Sequence, residues 1–120
     1  MPNDSFSTSS LPHHKLIAYE VALELLRAVR AAAIVDRALS DQALRAAKSA
    51  CLNCAEAAGR GTRPDKARVL SIARGEACEA AAAVEIAAEA GDTSLAQAAA
   101  VIAAADRLVR LLTGFIRPRH

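Results

Sequence analysis

QALRAAKSACLNCAEAAGRGTRPDKARVLSIARG, residues 42–75, decides what kind of protein this is. Alanine and leucine recur through it at three- and four-residue intervals until Gly59-Arg60-Gly61 interrupts them, and Thr62-Arg63-Pro64 follows at once. Glycine adopts the left-handed conformation that ends helices at little cost. The Thr62 hydroxyl can cap a new helix, and Pro64 suits a first turn, where its missing N–H is not needed. The stretch reads as one helix ending, a short turn, and a second helix beginning.

The same punctuation divides the rest of the chain. A first helix is expected over about residues 14–35, with apolar positions at Leu16, Ile17, Val21, Leu25, Leu26 and Val29. The second covers about residues 36–58, although residues 36–41 fit a loop as well as a helical turn. The third runs from Thr62 and Pro64 to Gly91, and the fourth follows the capping cluster Asp92-Thr93-Ser94 and ends near Ile116, ahead of Pro118. Long helices joined by short turns imply an antiparallel up-down-up-down four-helix bundle over residues 13–117. Residues 1–12 are expected to be a disordered tail, and residues 118–120 a short C-terminal one.

Composition points the same way and excludes much else. The 120 residues include 31 alanines and 13 leucines against 2 Phe, 1 Tyr and no Trp, the balance of an all-α chain. So few aromatics cannot line a stacking platform for single-stranded nucleic acid. Alanines occupy more than one helical face, more apolar surface than one bundle can cover, so contacts between subunits are expected. No run of eighteen apolar residues is present, and no membrane association is expected. The polar start has no secretory pattern, and three cysteines, an odd number, fit a reducing cytoplasm.

No constellation for catalysis, metal or cofactor emerges. Cys51-x-x-Cys54 lies mid-helix and lacks two further well-placed zinc ligands, so the pair reads as core. His13, His14 and His120 lie near the chain ends, with no nucleophile paired to them by helical spacing.

Charge is distributed unevenly. Residues 75–100 hold five acids and no Lys or Arg, so this segment carries −5 and the rest of the chain +7. Arg60, Arg63, Lys66 and Arg68 surround the second turn, while Arg107, Arg110, Arg117 and Arg119 lie toward the end of the chain. In an antiparallel bundle those two regions share an end, which predicts one basic end. Arg60, Arg63, Lys66, Arg68, Arg117 and Arg119 are the candidate nucleic-acid contacts. The same charges are equally those of a solvated turn and terminus.

A polar stripe marks the second helix. Gln42, Arg45, Ser49, Asn53, Glu56 and Arg60 are spaced by three and four residues and share one face. Ser71, Arg74 and Gly75 stand where a facing helix could meet them. The expected arrangement is a structural network of Arg45, Ser49, Asn53, Glu56, Ser71 and Arg74, built on a Glu56–Arg74 ion pair. Gly75, costly inside a helix, is expected to be repaid by close packing.

At these residues the chain resembles the bacterial four-helix-bundle proteins called the 23S ribosomal RNA intervening-sequence protein family. The match is carried by Gln42, Arg45-Ala46, Ser49, Asn53, Ala55-Glu56 and Gly59-Arg60, then by the run Leu70-Ser71-Ile72-Ala73-Arg74-Gly75 with Glu79. Leu16, Tyr19 and Ala22 fit the family's first helix, so the resemblance spans about residues 16–116. Cys51 stands where the family often has proline, Ala57 where it has glycine, and Ala58, Ala67 and Val69 where it has aromatics. The resemblance implies no enzymatic activity and a ring-shaped homopentamer. Similarity to the accessory proteins of diversity-generating retroelements implies RNA or DNA and a reverse transcriptase or other protein as partners. The expected function is a cytoplasmic, homo-oligomeric accessory protein that binds nucleic acid through its basic end. The alternative is an oligomeric scaffold that contacts only protein.

Overall fold

The structure, a computed structural model, describes residues 8–118. They form a 3-10 turn, Pro12–Lys15, and four helices: α1 (Ile17–Ala32), α2 (Arg37–Ala58), α3 (Arg63–Glu89) and α4 (Leu95–Ile116). Local chemistry sets most of these boundaries. Three side chains accept from the backbone amide three residues on: Asp36 from Leu39 at 2.9 Å, Thr62 from Asp65 at 3.3 Å and Ser94 from Gln97 at 3.1 Å. Pro64 sits in the first turn of α3. With Asp36 as the cap, residues 37–41 are helix and not loop.

Two boundaries differ from expectation. α1 begins three residues late, because Leu16 is extended between the 3-10 turn and the helix, and it ends at Ala32, because Ala33 is left-handed with φ 45°. Gly59, at φ −87°, does not use the left-handed conformation. α2 closes instead by tightening, with the Gly59 and Arg60 amides donating to the carbonyls of Glu56 and Ala57. The left-handed glycine is Gly91, at φ 82°, just beyond α3.

Hydrogen bonds at the two ends fix the connectivity. The Val35 amide donates to the Asp92 carbonyl at 3.0 Å, and Thr93 Oγ1 donates to the Ala32 carbonyl at 2.7 Å, so the first and third connections share one end. At the other end Arg63 Nη2 donates to the carbonyls of Arg117 and Phe115, tying the second connection to the end of α4. This is the all-α, up-down-up-down bundle that the short turns imply.

The core is built mainly from small side chains. Leu25, Leu108 and Leu112 with Val21, Val69, Val84 and Val101 form its bulky part. α2 buries only alanine and cysteine: Ala43, Ala46, Ala47, Ala50, Cys51, Cys54 and Ala57. No polar or charged side chain is buried among the described residues. No helix of the described residues is long and apolar enough to cross a membrane.

Leu108→Ala is expected to cost about 2–5 kcal/mol by opening a cavity. Ser94→Ala should cost about 1 kcal/mol through the lost cap, and Ala50→Leu about 1–3 kcal/mol through overpacking. Urea unfolding followed by far-ultraviolet circular dichroism measures all three.

Candidate nucleic-acid interface

The turn between α2 and α3, the first turns of α3 and the first residue after α4 bring five cations to one end: Arg60, Arg63, Lys66, Arg68 and Arg117. Asp65 sits among them. Its carboxylate accepts from Arg68 at 3.0 Å and from Arg60 at 3.3 Å, and Arg60 also reaches Glu56 at 3.2 Å. The bonds from Arg68, and then the charge of Arg60, hold the Asp65 carboxyl below its ordinary range. Arg63 is occupied by the two carbonyls at the end of α4. Lys66 and Arg117 are exposed and have no acidic partner among the described residues. Five cations against Glu56 and Asp65 leave this cluster at +3. Lys66 and Arg63 also rim a cleft of about 370 Å³ floored by Leu16, Ala57, Ala58, Leu70 and Phe115.

Two of the arginines expected toward this end belong elsewhere. Arg107 pairs with Glu24 of α1 at 2.9 Å, and Arg110 with Asp106 one turn back on α4 at 3.1 Å, so both lie along the flank. Arg119 lies outside the described residues. The opposite end carries Asp36, Glu89 and Asp92 against Arg30 and Arg37, so it lacks the cationic excess of this one. Asp65 was missed by reasoning from cation clusters, although its spacing of three from Arg68 and from the Thr62 cap was the available signal.

The polar stripe takes another form than the expected network. Glu56 is exposed and pairs with Arg60 in the turn that follows its helix, while Arg74 Nη1 donates to Thr113 Oγ1 on α4 at 3.2 Å; there is no Glu56–Arg74 ion pair. Asn53 Nδ2 donates to the Ser49 carbonyl and hydroxyl, and Ser71 Oγ to the Ala67 carbonyl, so those bonds stay within single helices. Arg45 is exposed and has no acidic partner among the described residues. The reason is rotational. The alanine and cysteine face of α2 packs inward, which turns the stripe outward. Gly75 is exposed as well, and a Cβ there would meet nothing within 4 Å, so close packing inside the chain does not repay it.

Cys51 and Cys54 are buried in the core, and Cys78 is exposed. Burial pushes the Cys51 thiol up to about 11 and the Cys54 thiol up to about 12. The His13 and His14 rings meet at a tilt of 58° in the 3-10 turn, and His13 meets the Tyr19 ring edge-on at 4.8 Å. Among the described residues no three His, Cys, Asp or Glu side chains converge as metal ligands would; His120 lies outside them.

A small all-α bundle with outward polar stripe and one cationic end describes a recognisable class. The chain belongs to the 23S rRNA-intervening sequence protein family, whose family model matches residues 14–114. A search of curated proteins finds no match to the chain.

Arg74→Ala should cost about 1 kcal/mol or less, the value of one half-buried hydrogen bond, and not the several kcal/mol of a broken buried ion pair; denaturant unfolding distinguishes the two. In the folded protein one thiol, Cys78, should react with a thiol reagent at pH 8, and three after denaturation. Above about pH 9 the unfolded chain releases thiol protons that folded Cys51 and Cys54 retain up to about 11 and 12. The stability these thiols supply below pH 9 is therefore lost as pH rises through that window. The decline in unfolding midpoint should be shallower in Cys51→Ala/Cys54→Ala.

Proposed function

We propose that this protein is a non-enzymatic, homo-oligomeric accessory protein of the cytoplasm that holds RNA or DNA by its phosphates at the basic end of the bundle. One observation carries the reading: Lys66 and Arg117 stand exposed and without acidic partners among the described residues, at the end where three further arginines gather. Lysine and arginine contacts to phosphate are largely indifferent to sequence and weaken steeply with salt. A ring of copies, pentameric by the family resemblance, multiplies a modest patch into a substantial one. The family's name, which refers to 23S rRNA, agrees with a nucleic-acid setting. A reverse transcriptase or another protein is the further partner that the resemblance to retroelement accessory proteins implies.

The alternative, an oligomeric scaffold contacting only protein, draws on a separate observation. Arg60, Arg63 and Arg68 already have partners within the chain, which leaves fewer cations free than the sequence promises.

Filter binding of RNA and of DNA at 50 and 200 mM salt separates the two readings. Two phosphate contacts per chain predict a fall in affinity of about tenfold between those concentrations for each chain that engages, compounded across a ring, and Lys66→Glu/Arg117→Glu should abolish retention. Absence of retention at low salt overturns the nucleic-acid reading in favour of the scaffold.

A further inference from the structure

We infer that the cleft at the basic end of the bundle binds a medium-chain aliphatic carboxylate, with the hydrocarbon chain on its floor and the carboxylate between Arg63 and Lys66. The inference goes beyond the nucleic-acid reading and shares only Lys66 with it.

The cleft lies where several elements end together. Ala57 and Ala58 close the last turn of α2, Leu70 stands on the second turn of α3, Phe115 on the last turn of α4, and Leu16 is the extended residue ahead of α1. None of these five side chains carries a nitrogen or an oxygen, so the floor is carbon and sulfur-free. The space measures about 370 Å³, near the lower end of the range of about 300–1,000 Å³ for small-molecule sites. At about 30 Å³ per heavy atom, the share of one water molecule in the liquid, it takes about a dozen heavy atoms. A single short chain fits that volume, and a two-chain lipid does not.

Charge selects the head group. Both charged residues on the rim, Arg63 and Lys66, are cations, and among the described residues no acid lines the cleft. Asp65, between them in sequence, is turned to Arg60 and Arg68. Arg63 Nη2 donates to the carbonyls of Arg117 and Phe115, which fixes the guanidinium at the rim before a ligand arrives. Lys66 is exposed and has no acidic partner among the described residues. Arg63, Lys66 and Leu70 are spaced by three and four, so both cations and part of the floor share one face of α3. A carboxylate held there also meets the positive end of the α3 dipole.

The floor selects what the head group is attached to. A nucleobase laid on it would set ring nitrogens and carbonyl oxygens against carbon, unpaired, whereas a saturated chain has no such groups to desolvate. Two other grooves lack this combination of apolar floor and rim of one sign. The one beside Leu44 and Leu52 on α2 has Asp41 along with Arg45 and Lys48, and the one between α3 and α4 carries Glu85 and Asp106.

Isothermal titration calorimetry of the full chain with sodium decanoate at pH 8 tests the site, with circular dichroism confirming that each variant is folded. One decanoate per chain should bind with a Kd below about 0.1 mM, within reach of a ligand of about a dozen heavy atoms. Octanoate, two methylenes shorter, should bind about 4- to 16-fold more weakly. Octanol, which lacks the charge, should bind at least about tenfold more weakly than octanoate, and Lys66→Glu should weaken decanoate by a similar factor. Lys66→Arg should keep the wild-type affinity. Ala58→Phe fills the cleft while leaving both cations in place, and should weaken decanoate at least about tenfold through lost space for the chain. Absence of binding at about 1 mM decanoate overturns the inference. So does binding that Ala58→Phe or Lys66→Glu leaves unchanged, or adenosine monophosphate binding as tightly as decanoate.

Discussion

Close approach between α2 and its neighbours is the constraint on which the rest of the molecule depends. The buried face of α2 has no side chain larger than cysteine, so the helix must lie near α1 and α3 for its core contacts to form at all. Leucines and valines from the other helices fill what space remains. Dispersion falls off steeply with distance, so small side chains stabilise a bundle only when backbones are near one another. Alanine also costs no side-chain entropy on burial, which offsets part of the small area each one removes from water.

An apolar core of this kind sends every polar group outward. No buried charge orients the helices among the described residues, and the bonds between different helices lie toward their ends and along the flanks: Thr93 to Ala32, Arg63 to the end of α4, Arg74 to Thr113, Arg107 to Glu24. The ends therefore gather charge. At one of them Asp65 draws in Arg60 and Arg68, which organises the cationic cluster and at the same time neutralises part of it. The cations left over at that end are chiefly Lys66 and Arg117.

Much of this could be read from particular residues. Thr62 and Ser94 are legible as caps because a short polar side chain in that position satisfies a free helical amide, a local matter that sequence exposes directly, whereas the sequence leaves the Asp36 segment open between loop and helical turn. The shared basic end followed from short turns alone. The stripe on α2 was visible in its spacing, and the family in the same residues, yet the pairing of Glu56 with Arg74 was wrong. Periodicity shows which residues share a face but not which way that face points. Likewise Arg107 and Glu24 lie too far apart in the chain for any local pattern to join them.

Alone, then, the sequence determined helix content, most helix ends, chain order and family, because each depends on interactions within a few residues or on a pattern carried along one helix. Tertiary structure decided the rotation of every helix about its own axis. That rotation buried Cys51 and Cys54, turned Asn53 and Glu56 outward, carried Arg74 to Thr113 and left Gly75 open. The physical reason is that a helix surrounded by alanine has several faces apolar enough to bury. Which one goes inside is settled by the combined fit of all four helices.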